Sequence, residues 1–185
     1  MVTDTFIIPG LYGSDATHWQ SRWEKLYGFK RVMQRDWNKP VFSQWQNSLC
    51  EFLAGNRSEG DYFLVVHSLG CHLVAQSLPL ISSGLKGVFM VAPPDLEKGS
   101  IDRDLSSFAP KEIQRADVAG YLVYSENDPH ASPSFSEHFA AQLSIAPINI
   151  GRCGHINSDS NLGNWDDGFR LFQRLVKEIA STSIK

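Results

Sequence analysis

The chain has 185 residues, a hydrophobic fraction of 42% and a formal net charge of −3. That is enough apolar material for one compact core and too much for a disordered chain. With a pI near 6.0 and no run of Lys or Arg, it has neither the basic stripe of a nucleic-acid binder nor a polybasic membrane patch.

Cys50, Cys71 and Cys153 are odd in number and scattered. Without a C-x-x-C or Cys/His cluster, neither a disulfide framework nor a zinc site is expected. The opening MVTDTFIIPG has an early Asp, a short apolar run and a Pro-Gly stop, unlike a signal peptide. No segment approaches the ~20 apolar residues that span a bilayer. The expectation is a single soluble domain over residues 1–185 in a cytoplasmic, reducing compartment. It needs no metal or cofactor, binds neither nucleic acid nor membrane, and its protein partners are left open.

In chain order, the first apolar run is Thr5–Ile8, stopped by Pro9-Gly10. Thr17–Tyr27 follows with helical spacing of Trp19, Trp23 and Leu26, then a weak strand candidate at Arg31–Gln34 and a second helix over Val41–Leu53. Tyr62–Val66 is a continuous apolar run ending at His67-Ser68. The helix after it, from Leu69 to about Ser77, is expected to stop before Pro79. Gly87–Val91 and Tyr121–Tyr124 are further strands, separated by a long loop over Asp95–Lys111. A helix at Ser134–Leu143, a weaker strand at Ile145–Ile150 and an amphipathic helix at Asp166–Ile179 complete the chain.

Continuously apolar runs are the mark of parallel strands covered on both faces. Strand–helix alternation then predicts an α/β fold: a three-layer sandwich with a mainly parallel central sheet of about six strands and helices on both faces. Ligands of such sheets gather beyond the carboxyl ends of the strands. The polar residues just after each run therefore matter most: Gly10–Gly13, His67-Ser68, Asp95, Asp128 and His155.

The stretch LVVHSLGC resembles the G-x-S-x-G turn that presents a nucleophilic serine, with Val66 in place of the first glycine. A serine hydroxyl needs a base, and His155, in a glycine-bearing loop past the last strand, is placed to supply one. The bland reading of Ser68 is a helix cap. The acid that orients the base is Asp128, in the Asn-Asp-Pro turn after the penultimate strand, with Asp95 and Glu126 as competitors. The order Ser, Asp, His is that of α/β-hydrolases. An oxyanion hole is expected from the amides of Leu69, after the serine, and Leu11, after the first strand. Trp19, Phe108 and Trp165 are candidate pocket walls, with core packing as the alternative.

The segments FIIPGLYGSDATHW, VVHSLGC, SENDPHAS and GRCGHINSDSNLGNW together resemble the small serine hydrolases that include a retinoblastoma-binding protein and bacterial YdeN-like proteins. The resemblance implies a compact α/β-hydrolase with no large cap domain, a metal-free triad of Ser68, Asp128 and His155, and ester hydrolysis. The triad's chemistry adds the expectation that small carboxylic esters are cleaved through an acyl-enzyme on Ser68. Acyl transfer to another acceptor, or thioester cleavage, needs the same triad. A binding module with an idle triad is the rival from another class. The chain lacks an L-x-C-x-E peptide, since Leu49-Cys50-Glu51 has the wrong spacing.

Overall fold

The computed structural model describes residues 4–56, 60–98, 105–109 and 118–182. Six strands form one all-parallel sheet: β1 (Asp4–Ile8), β2 (Lys30–Arg31), β3 (Tyr62–His67), β4 (Leu85–Val91), β5 (Ala119–Tyr124) and β6 (Ala146–Asn149). Their spatial order is β2-β1-β3-β4-β5-β6. The chain thus moves outward from β1 to β2, then returns across β1 to place β3 on its other side. That reversal opens a crevice beyond the ends of β1 and β3, where ligands bind in open α/β sheets.

Among the described residues four helices lie between strands, α1 (Trp19–Tyr27), α2 (Phe42–Asn56), α3 (Leu69–Ile81) and α4 (Pro133–Leu143), and α5 (Asp166–Thr182) follows β6. Alternate strand residues serve opposite faces. Phe6, Ile8, Leu64, Val66, Val88, Met90 and Leu122 share a buried cluster with α2, α3 and α4. Ile7, Phe63, Val65, Phe89, Val91 and Val123 pack with α1 and α5. In α5 the stripe Phe169, Phe172, Leu175, Val176 and Ile179 meets that second face.

Local chemistry sets the helix ends. Ser132 caps α4 by accepting the amide of Phe135 at 3.2 Å, with Pro133 as the first helical residue. Gly28, at φ +70°, closes α1 by donating its amide to Glu24 O at 3.0 Å.

Most element boundaries move by a residue or more from the sequence reading, those of β2, β6 and α3 among them. The edge strand β2 is Lys30–Arg31, earlier and shorter than Arg31–Gln34, because it pairs only with Phe6 and Ile7 of β1. β6 is trimmed to Ala146–Asn149. Helix α3 continues through Pro79 to Ile81. The proline lacks the amide that would bond Ala75 O, and burial of Leu78 and Ile81 offsets the lost bond. Residues 99–104 and 110–111 of the loop expected over Asp95–Lys111 lie outside the described residues; Ser106–Phe108 within it forms a single 3-10 turn.

Candidate active site

Ser68 stands at the joint between β3 and α3 with φ +54° and ψ −127°, a conformation that is strained for any residue but glycine. Its amide is tied to Val91 O of β4 at 2.9 Å. Its hydroxyl makes no cap hydrogen bond to α3, which removes the helix-cap reading.

The turn needs two close approaches. A Cβ on Gly10 would lie 2.7 Å from Ser68 Cβ and 2.9 Å from Leu69 N. One on Gly70 would lie 2.8 Å from both Ile8 O and Pro9 O. Val66, where a glycine was anticipated, is wholly buried in the cluster that holds Ile8, Met90, Cys71 and Ala75.

His155 comes from the loop after β6, and Asp128 from the turn after β5. His155 Nε2 is 2.8 Å from Ser68 Oγ, while Nδ1 is 3.0 and 2.9 Å from Asp128 Oδ1 and Oδ2. A carboxylate only accepts, so Nδ1 carries the ring proton and Nε2 turns its lone pair to the hydroxyl. The amide of His130 donates to Asp128 Oδ1 at 2.8 Å and fixes the carboxylate. The two competing acids are elsewhere: Asp95 Oδ1 accepts the amide of Glu97, and Glu126 Oε1 accepts from the side chain of Asn149.

The histidine loop is held on every side. Asn127 Oδ1 accepts the Gly154 amide at 3.0 Å, and Ser125 Oγ accepts the Cys153 amide at 2.9 Å. From beneath, Trp19 Nε1 donates to Ile156 O at 2.8 Å, and His67 Nε2 donates to His155 O at 3.0 Å. Burial pushes His67 well below the ordinary imidazole range, with the neighbouring histidines adding to it, so this donor is a neutral ring.

Leu11 and Leu69 each begin a helical segment, where the amide has no intrahelical acceptor. The Gly10 approach to Leu69 N brings the two backbones together beside Ser68.

A cavity of about 430 Å³ opens over the serine, lined by Leu11, Tyr12, Ser68 and His155 and by polar residues of the first and last loops, including Asp15, His18 and Asp159. Among the described residues no Lys or Arg lines it. Asp15 is held down to about 2 by hydrogen bonds from Thr17, then from Ser158, which ties the first loop to the histidine loop.

The three aromatics anticipated as walls do not line this cavity. Trp19 is 1% exposed and packs edge-on against Trp23 and Trp165 at 4.7 and 4.8 Å. Trp165 is likewise buried in that cluster. Phe108 belongs to the opposite face, between Phe42 and Trp45 at 5.4 Å from each. Large rings gain most where they are fully dry, so the core claims them.

The sequence reading missed Ser125, Asn127 and His67 as supports of the loop, and Asp15 and His18 as wall residues. Asp15-x-Thr17 carried an Asx-turn signal; His18 offered only its place at a helix start. Among the described residues no group of three or more His, Cys, Asp or Glu is arranged to hold a metal. Nor is any helix there long and apolar enough to cross a membrane.

An open parallel sheet with helices on both faces, and a serine on a sharp strand-to-helix turn at the switch point, defines an α/β-hydrolase. A serine hydrolase family model matches residues 5–174, and the chain belongs to that family. Among solved structures, a YdeN-like hydrolase from Pectobacterium atrosepticum is 26% identical over 96% of this chain and 92% of its own, with a TM-score of 0.82. The ydeN gene product of Bacillus subtilis shares 17% identity over 95% of this chain and all of its own, at a TM-score of 0.70. A thermophilic esterase from Thermogutta terrifontis has the same fold at 10% identity, with a TM-score of 0.69 over 96% of this chain and 90% of its own. A comparison with curated proteins gives no match.

Proposed function

We propose that this serine hydrolase cleaves small carboxylic esters through an acyl-enzyme on Ser68. One observation carries the reading: an unbroken hydrogen-bond chain from Asp128 through His155 to a hydroxyl on a strained turn.

In the first half-reaction, His155 Nε2 takes the hydroxyl proton as Ser68 Oγ bonds to the ester carbonyl carbon. The carbonyl oxygen, now negative, accepts from the amides of Leu11 and Leu69. Asp128 stabilises the imidazolium and keeps Nδ1 protonated. As the intermediate collapses, the carbon–alkoxy bond breaks and Nε2–H passes its proton to the departing alcohol. In the second half, Nε2 takes a proton from water while the hydroxide oxygen attacks the acyl carbon. The proton returns to Ser68 Oγ as the acid leaves. The strained backbone at Ser68 keeps the nucleophile out of the helix and aimed at the crevice.

A fluorophosphonate probe tests the scheme. The expected adduct is on Ser68, absent in Ser68→Ala and much slower to form in His155→Ala. Folded wild-type protein that neither takes the label nor hydrolyses aryl esters refutes the scheme and favours a binding module.

A further inference from the structure

His18, in the P-G-x-x-G-S-x-x-x-H-W segment, has one ring nitrogen in use and one without a task. Nδ1 caps α1 by accepting the amide of Gln20 at 3.1 Å. An accepting nitrogen carries no proton, so the neutral ring holds its proton on Nε2. Burial pushes His18 down to about 3, and the neutral tautomer persists throughout the working range. Nε2–H is thus a donor, and it is buried with no hydrogen-bond partner among the described residues. The residue is 3% exposed, yet it forms part of the wall of the cavity that holds Ser68 and His155. An orphan donor at such a wall is selective, because a ligand that supplies an acceptor is favoured over one that leaves the group bare.

We propose that His18 Nε2–H donates to a second oxygen of the bound ester, so that the preferred substrates are small esters with an alkoxy, hydroxy or keto group near the scissile bond. The inference rests on the hydrolase reading of Ser68. The acceptor is uncharged: Asp15 and Asp159 line the same cavity and, among the described residues, no Lys or Arg does, so a substrate carboxylate would meet two like charges. A merely structural role competes with this one, since the His67 ring lies edge-on at 4.7 Å and its face is a weak acceptor.

Two variants separate these roles. In His18→Asn, the side-chain oxygen replaces Nδ1 as cap and the outer donor is lost. In His18→Gln, the amide N–H reaches the Nε2 position and the cap is lost. Each would be assayed on two matched pairs, p-nitrophenyl methoxyacetate against p-nitrophenyl butanoate and 2-methoxyethyl acetate against butyl acetate. Comparing each variant's ratio with the wild-type ratio cancels intrinsic ester reactivity.

In at least one pair, His18→Asn is expected to lower the oxygen-over-alkyl preference in kcat/KM roughly 10- to 100-fold, with little change in melting temperature. His18→Gln should melt lower and retain most of the preference. Equal losses on both members of both pairs in His18→Asn would overturn the proposal and leave the residue a structural one. If the wild type hydrolyses none of the four esters and Ser68 takes no fluorophosphonate, the hydrolase reading falls, and this inference with it.

Discussion

Asn127 Oδ1 accepts the amide of Gly154 at 3.0 Å, so the turn that carries Asp128 also grips the loop that carries His155. Ser125 Oγ reinforces the grip by accepting from Cys153 N and donating to Asn127 Oδ1 at 2.9 Å. Positioning is the main service such bonds perform, since a displacement of about 1 Å can cost ~10²-fold in rate. Asn127→Ala is expected to lower kcat about 10- to 100-fold with little change in KM, and to slow fluorophosphonate labelling in parallel. Steady-state kinetics on one aryl ester and a labelling time course check both.

Gly10 sets the turn after β1 against the Ser68–Leu69 joint, next to the proposed oxyanion donor Leu11. An added methyl at 2.7 Å from Ser68 Cβ and 2.9 Å from Leu69 N must push the β1 turn away from α3. Gly10→Ala should therefore cost about 10²–10³ in kcat, the usual worth of one oxyanion donor, while the melting temperature falls only modestly. Wild-type kcat in a folded Gly10→Ala protein would remove Leu11 from the proposed oxyanion hole.

Gly70 answers to stability instead. Its hypothetical Cβ meets two backbone oxygens, Ile8 O and Pro9 O, at 2.8 Å, and neither can rotate aside. Gly70→Ala should destabilise the fold by about 1–3 kcal/mol, as overpacking does, read as a lower urea midpoint at constant m-value.

Three buried imidazoles set the response to acid. Burial pushes His18 down to about 3, His72 to about 4 and His67 well below the ordinary 6.5. In the unfolded chain all three bind protons as pH falls through 6.5, while the native protein stays neutral. The unfolded state then holds more protons, so stability is full above 6.5 and declines as pH drops from there toward 4. Each such group contributes a slope of about 1.4 kcal/mol per pH unit once well below 6.5. The urea midpoint should be flat from pH 8 to 7 and fall steeply between 6 and 5. His72 Nε2 donates to Pro94 O at 2.7 Å, a bond that His72→Gln preserves without the ionisation. That variant should show a shallower acid slope; an unaltered slope would contradict the assignment.

Much of this was legible before the coordinates. The strands β3, β4 and β5 are uninterrupted apolar runs because both faces are covered, and that composition survives in any reading of the chain. Edge strands carry no such mark. Lys30–Arg31 pairs on one side only, and two charged residues have no period to detect. The persistence of α3 past Pro79 was equally hidden, since it depends on what Leu78 and Ile81 bury.

Ser68, Asp128 and His155 could be chosen from sequence because each follows an apolar run, and carboxyl ends of parallel strands share one rim by construction. Their mutual distances could not. Ser68 and His155 are 87 positions apart, and their contact depends on the crossover that sets β1 beside β3 and on the side-chain ties from Asn127, Trp19 and His67. The aromatics show the same limit. Helical spacing says that Trp19 is apolar-facing, but which neighbour it faces is a question of helix phase and packing, and the core took it. Residue order along the chain thus determined which groups stand at the strand ends. Only the folded arrangement decided which of them touch, because contact distances follow from how layers pack, and packing is settled by the whole chain at once.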